Sequence, residues 1–233
     1  VNSEHGPEAL KKIEAMCAKN LRLFSTKLGY AHGYKAVIDT PTIPSINKAP
    51  AYPMRVRAPE EVAALHKHVM KLWAQRLIEP SRSAFNAVPM LIKKPTAPDL
   101  PQDYRVVQDY RGLNEHIKKD VYPLPNLDVN LQTLGKANWF SCLDLLAGFH
   151  QVELDEESMP ATAFGTPFGQ FQYTRMPMGL ASSPSAFMRL VDATLRGLPP
   201  GIAVAYVDDV IIPTAGTLDE HLEDVSKVFG RLT

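Results

Sequence analysis

The sequence has no surplus of either charge. Lys and Arg number 25, Asp and Glu number 25, and the formal net charge is zero. This balance weighs against a partner held by bulk electrostatics, such as a nucleic acid, unless the positive charge is local or supplied by other domains. Cysteine is scarce. Cys17 and Cys142 give neither a disulfide framework nor zinc-ligand spacing, which fits a reducing compartment. No apolar run approaches the roughly 18 residues of a membrane span, so no membrane partner is expected. Val1–Gly6 is polar and an amphipathic segment follows, so no signal peptide is read. "GTPFGQF" lacks the Lys-Ser/Thr ending of a phosphate-binding P-loop. His66 and His68 stand two apart on a helical pattern, where side chains diverge, and the scattered methionines read as core filling. There is no internal repeat. The first residue is Val1, not methionine, so a piece of a longer product is expected.

What is present describes a globular chain. Its 233 residues are 45% hydrophobic and 21% charged, enough for one large domain or two small ones with a real core. Apolar spacing predicts a helix over Pro7–Phe24 and another opened by Pro59 and stopped by Pro80. Between them, prolines at 41, 44, 50 and 53 predict an extended linker. "AVPMLIKK" (87–94) and "YRVVQDY" (104–110) predict a hairpin with a long Pro-rich tip. A short helix is expected over 126–135, a strand over 139–145 continuing extended through 150–154, and a second hairpin over 162–177. A helix follows over 183–198, capped by Ser182 or Ser183, then a strand–turn–strand over 201–213 and a last helix from Leu218. The order is not a regular βαβα alternation. The expected class is α+β, an antiparallel sheet backed by helices.

The chemistry lies in misplaced carboxylates. "AVAYVDDVII" sets Asp208 and Asp209 inside an apolar run. Two carboxylates that lose water together repel, and a divalent cation removes the conflict. On the pair alone, an ordinary hairpin turn explains the sequence equally well. "FSCLDLLAGF" repeats the anomaly at Asp144, followed by Ala147, Gly148 and Phe149. An exposed strand end explains that carboxylate equally well by itself. Together the two sites point to hard-oxygen binding of Mg2+ or Mn2+. Two such ions about 3.5–4 Å apart are the known device for in-line phosphoryl transfer. Lys93, Lys94 and Arg105 stand where the first hairpin brings cations together, as a triphosphate clamp or as a solvated basic tip. "PMGLASSPSAF" puts small residues at a helix start, where backbone can approach a ligand or merely be capped.

These segments resemble one family. "AYVDDVII" looks like the Tyr-X-Asp-Asp hairpin of reverse transcriptases. "FSCLDLLAGFHQVEL", "RLIEPSRSAFNAVPMLIKK", "YRVVQDYRGLNEHIKKDVYPLPNL" and "FGTPFGQFQYTRMPMGLASSPSAFMRLVD" resemble the colinear segments of gypsy-type LTR retrotransposons. "YKAVIDTPTIPSINKAPAYPMR" is similar to their stretch between protease and polymerase. The resemblance runs over residues 34–230.

It implies a right-hand polymerase. A helix and linker or strap would occupy 1–58, fingers 59–135, and palm 136–233 with a fingers segment near 155–180. Thumb, primer grip, connection and RNase H would lie downstream in the same polyprotein. It implies that Asp144, Asp208 and Asp209 are the catalytic metal aspartates for two Mg2+ or Mn2+ ions. Lys94 and Arg105 would grip the incoming dNTP, the backbone N–H groups of Ala147 and Gly148 would meet its phosphates, and Phe149 would be the steric gate against a ribose 2′-hydroxyl. Met178 and Gly179 would contact the templating pair and Tyr206 would lie below the primer end. Partners would be an RNA or DNA template with primer, and dNTPs. The location would be intracellular, a cytoplasmic particle with nuclear entry. The long tip before Arg105, Met178 in place of phenylalanine and Ala147 in place of serine depart from the pattern. The alternative function is a truncated or domesticated domain that binds nucleic acid or protein without synthesis. A two-metal nuclease is a third reading, which leaves the Lys–Arg hairpin and the aromatic gate without a role.

Overall fold

The computed structural model describes residues 6–40, 57–97, 102–118, 120, 122 and 134–233. In chain order the elements are α1 (Gly6–Lys19), β1 (Lys35–Ala36), α2 (Pro59–Ala74), β2 (Ile78–Pro80), β3 (Val88–Lys93), β4 (Tyr104–Asp109) and α3 (Arg111–Asn114). Then come β5 (Trp139–Asp144), β6 (Glu153–Leu154), β7 (Phe164–Thr166), β8 (Gly169–Tyr173), α4 (Ser183–Leu195), β9 (Val204–Tyr206), β10 (Asp209–Thr214) and α5 (Leu218–Leu232). This is the expected mixture of helices and mostly antiparallel sheet. The β1–β6 pair is parallel. The linker at 41–56 and nearly all of the helix expected over 126–135 lie outside the described residues.

The chain divides into two compact units. The first gathers segments within 1–29, 121–148 and 185–233. Its sheet has the order β5-β10-β9, all antiparallel. Along β5, Trp139, Ser141 and Leu143 are half-buried while Phe140, Cys142 and Asp144 are exposed, the period-2 alternation of a sheet covered on one face. Val210 and Ile212 of β10 are fully buried with Val225, Val228 and Phe229 of α5. Thr217 and Glu220 close a capping box at the start of α5. Phe24 meets Phe229 edge to face at 5.6 Å. The N-terminal helix is shorter than its apolar spacing predicts. After Lys19 the chain turns with bonds such as Asn20 N–H to Cys17 O at 3.0 Å, and the Asn20 side chain donates to Met16 O, competing with the helical ladder.

The second unit gathers 30–120 and 149–184 and contains the sheet β2-β8-β7 and the hairpin β3–β4. Helix α2 buries Leu65, Val69 and Leu72. It ends at Ala74, not at Pro80, which sits in β2. Arg76 takes φ 55°, its N–H reaches Trp73 O, and Leu77 N–H reaches Leu72 O at 3.0 Å. That is a Schellman ending, which satisfies the last carbonyls without a proline. The stretch expected to run extended from His150 instead forms a single 3-10 turn, Gly148–Gln151, before β6. Ala147 at φ 47° redirects the backbone just ahead of it. Ser183, one of the two residues expected at the start of α4, is buried and donates to Pro177 O at 3.0 Å, which anchors the preceding loop. No described helix is long and apolar enough to cross a membrane.

Candidate active site

In the first unit, strand pairing assembles the aspartates. Asp144 ends β5 and Asp209 begins β10, and the two are direct partners in the ladder. Tyr206 of β9 faces Asp209 in the other ladder, so only Val207 and Asp208 make the turn. Two-residue hairpin loops demand positive φ, usually from glycine. Here Val207 supplies it at φ 53°, a conformation costing a β-branched residue on the order of 1–2 kcal/mol. Its N–H lies 3.1 Å from Met188 Sδ on α4. Leu145 N–H donates to Asp208 O at 2.9 Å, tying the turn to the end of β5.

Asp208 is the electrostatic centre. Its Oδ1 is buried and has no hydrogen-bond partner. Burial raises its pKa first, and the neighbouring Asp144 and Asp209 charges raise it further. A β-carbon added to Gly148 would stand 2.7 Å from Asp208 Oδ1 and 2.5 Å from Phe187 Cζ. Only glycine therefore lets the chain pass between this carboxylate and α4. Among the described residues, no group of three or more His, Cys, Asp or Glu stands in a metal-holding arrangement. The three aspartates are neighbours without forming a closed cage. Mg2+ takes one or two carboxylates and fills its remaining positions with water and substrate phosphate, so these side chains would suit it. An orphaned, buried carboxylate oxygen beside two further carboxylates is the donor set such an ion needs.

The other residues singled out divide as follows. Tyr206 is 41% exposed at the end of β9. Ala147 is half-buried, and the Gly148 N–H is already engaged with Leu145 O at 3.2 Å. In the second unit, Phe149 is half-buried in the 3-10 turn, and its carbonyl accepts from Val152 N–H. Arg105 is exposed and pairs with Ile92, while Lys94 continues the ladder by donating its N–H to Asp103 O. Alternation along β3 puts Lys94 on Arg105's side and Lys93 on the other. Lys94 Nζ is 2.6 Å from Asp103, which holds that carboxyl below its usual range. Met178 is 41% exposed and Gly179 takes φ 95°.

Sequence reasoning missed Asn114. Its amide donates to Gly179 O at 2.9 Å and its oxygen accepts from Ala181 N–H at 2.8 Å, clamping the Met178–Gly179 loop from both sides. It also missed Phe187 and Met188 as the support of the Asp208 turn. Neither has a local mark, because the contacts span tens of residues.

A family model described as reverse transcriptase (RNA-dependent DNA polymerase) matches residues 92–233. The chain belongs to this reverse transcriptase family. Among curated relatives, the Pol polyprotein of transposon 412 of Drosophila melanogaster is 38% identical over 185 residues, covering 78% of this chain and 15% of that protein. Transposon 297 of the same organism gives 39% over 206 residues, with 88% and 19% covered. Transposon gypsy gives 35% over 235 residues, with 97% and 22% covered. The chain thus spans about a fifth of the length of these relatives. Among solved structures, prototype foamy virus protease-reverse transcriptase aligns with TM-score 0.78 at 25% identity, covering 98% of this chain and 30% of that one. The foamy viral protein in complex with an RNA/DNA hybrid has the same fold, with TM-score 0.78 at 24% identity.

Proposed function

We propose that this chain is the fingers and palm part of an RNA-directed DNA polymerase of an LTR retroelement, adding dNTPs to a primer 3′-hydroxyl. The observation that carries the reading is the buried, partnerless Asp208 Oδ1 in a strained turn, with Asp144 and Asp209 paired across the ladder. Asp144 and Asp208 are the principal ligands for two divalent cations, Mg2+ or Mn2+, and Asp209 is the more peripheral carboxylate. When bound, such ions stabilise charge on the transferring phosphoryl group and make the hydroxyl a better nucleophile. The chain's own contribution is to hold the carboxylates on adjacent strands, close enough to need a cation and too rigid to move apart.

Lys94 and Arg105 bind the triphosphate from one face of their hairpin. Phe149 excludes a ribose 2′-hydroxyl, and the backbone at Ala147 and Gly148 lines the path of the phosphates. Met178 and Gly179, held by Asn114, face the templating pair, and Tyr206 supports the primer end. Primer and template are RNA or DNA, and thumb and RNase H segments of a longer polyprotein supply most of the duplex grip. The setting is a cytoplasmic particle with later nuclear entry.

The test is primer extension on a primed RNA template by the longest encoded chain, beside Asp208→Asn. The variant is expected to lose activity by more than roughly 100-fold, since a metal ligand matters more than the groups that orient it. Equal extension by both chains would refute the reading.

A further inference from the structure

A polar chain in the first unit, buried at His221 and Thr214 and half-buried at Ser141 and Asp224, is unused by this reading. It lies on the helix-covered face of the sheet, opposite in strand parity to Asp144. Ser141 Oγ is 2.8 Å from His221 Nε2, His221 Nδ1 is 3.0 Å from Thr214 Oγ1, and Thr214 Oγ1 is 3.0 Å from Asp224 Oδ2. His221 is 4% exposed, and its ring stacks on that of Trp139 at 24° with centroids 6.5 Å apart. Burial lowers its pKa against the opposing pull of Asp224.

The directions of these bonds follow from the far end. Thr214 donates its hydroxyl proton to Asp224 Oδ2. Thr214 Oγ1 is then left to accept from His221 Nδ1–H. In a neutral ring Nε2 then accepts from Ser141 O–H, and every member of the chain is paired.

What the chain ties together matters more than its stability. Ser141 belongs to β5 and Thr214 to β10, and His221 reaches both from α5. In the ladder Ser141 faces Ile212 and Thr214 faces Trp139, two steps apart on one face. One imidazole spans both positions only in this register. The same register sets Asp144 opposite Asp209. A slip of one residue would move a strand's whole side-chain set to the other face.

We propose that His221 is a positioning residue for the carboxylate site: the Ser141–His221–Thr214–Asp224 chain locks β5 against β10 and thereby holds Asp144 beside Asp208 and Asp209. The inference rests on the metal reading of those aspartates, and two measurements separate them. The first is amide hydrogen exchange on the 233-residue chain without metal. His221→Phe, which keeps an aromatic ring beside Trp139, should speed exchange in 141–144 and 209–212, and Ser141→Ala should do so more weakly. The second is Mn2+ titration of the same proteins, with Asp208→Asn as the variant lacking a ligand. Folded His221→Phe and Ser141→Ala should bind Mn2+ on the order of 10-fold more weakly than the parent. His221→Gln, whose amide can still reach Ser141, should recover part of that loss. If His221→Phe does not fold, Ser141→Ala and Thr214→Val must show both effects. Unchanged exchange in the folded variants overturns the lock. Unchanged Mn2+ affinity in them overturns its bearing on the site. A parent that binds no Mn2+ overturns the metal reading and this inference with it, whatever the exchange shows.

Discussion

Two hairpins of this chain, β3–β4 and β9–β10, place charge in opposite ways. The β9–β10 hairpin turns in two residues and fixes its carboxylates through the backbone: ladder register, a strained Val207, and the Leu145 bond to Asp208. The β3–β4 hairpin has a long Pro-rich tip and puts its cations on flexible stems at an exposed end. Asp208 has a buried oxygen with no partner, whereas Lys94 is tied to Asp103 in the open. A metal ion tolerates ligand errors of only a few tenths of an ångström. A triphosphate carries spread charge and accepts a clamp that closes when it arrives. In the proposed enzyme, the hairpin that fixes its charges through the backbone serves the ions, and the one that carries them on long side chains serves the nucleotide.

The strongest attack on that contrast is Gly148→Ala. The new methyl would meet Phe187 Cζ at 2.5 Å and Asp208 Oδ1 at 2.7 Å, so the Phe187 ring and the carboxylate must shift. Overpacking of this kind costs about 1–3 kcal/mol. We expect a lowered melting temperature together with a fall of at least roughly 100-fold in primer extension, because the displaced atom belongs to the proposed ligand. A variant that extends primers normally would show that Asp208 need not stay where the structure puts it.

The cationic hairpin should respond more gently. Arg105→Ala or Lys94→Ala is expected to raise KM for dNTP by about 10-fold, the loss of one charge-assisted contact worth roughly 1.4 kcal/mol, with stability unchanged. Asp103→Ala should do the reverse in part, lowering KM by releasing Lys94 from an exposed pair of small intrinsic worth. Steady-state kinetics with each variant decides the matter. A large kcat effect with constant KM would mean that these side chains act on the reaction rather than on binding.

The sequence was most legible where neighbours in the chain are neighbours in the structure. The strand over 139–145 was legible as an apolar run, and the anomaly of carboxylates in such runs singled out Asp144, Asp208 and Asp209; its covered face was not legible, since Ser141 is half-buried and Phe140 exposed. The β3–β4 pairing followed from two apolar runs and a breaker-rich tip. What stayed hidden depends on distant partners. Gly148 reads as a loop glycine until Phe187 and Asp208 close around it. Asn114 reads as a helix end until it grips the Gly179 loop. The end of α2 was misplaced because Arg76 adopts a left-handed conformation that no local rule assigns to arginine. Only the register shows that Lys94, the lysine the resemblance named, shares a side with Arg105 while Lys93 faces the other way.

The smallest expected effect is the most diagnostic of the β9–β10 hairpin. Asp208 has its pKa raised by burial and then by Asp144 and Asp209. The folded state therefore holds the protonated acid more readily than the unfolded chain does. The stability this lends is complete below the ordinary carboxylate range and is lost as pH rises through the raised value. At pH 7 the charged group is a net cost to the metal-free fold, softened because the site is partly open to water. Asp208→Asn keeps the shape and cannot ionise. In a chelator it should melt slightly above the parent at pH 7, and the gap should close as pH falls to about 3. Mn2+ should then invert the order, since an ion that binds only the folded parent stabilises it by about 2.7 kcal/mol at one hundred times Kd. Thermal melts at the two pH values, with and without Mn2+, give the answer. A variant less stable than the parent in chelator at pH 7 would mean that the carboxylate is satisfied by the protein itself, and the β9–β10 hairpin would lose its reason to hold a cation.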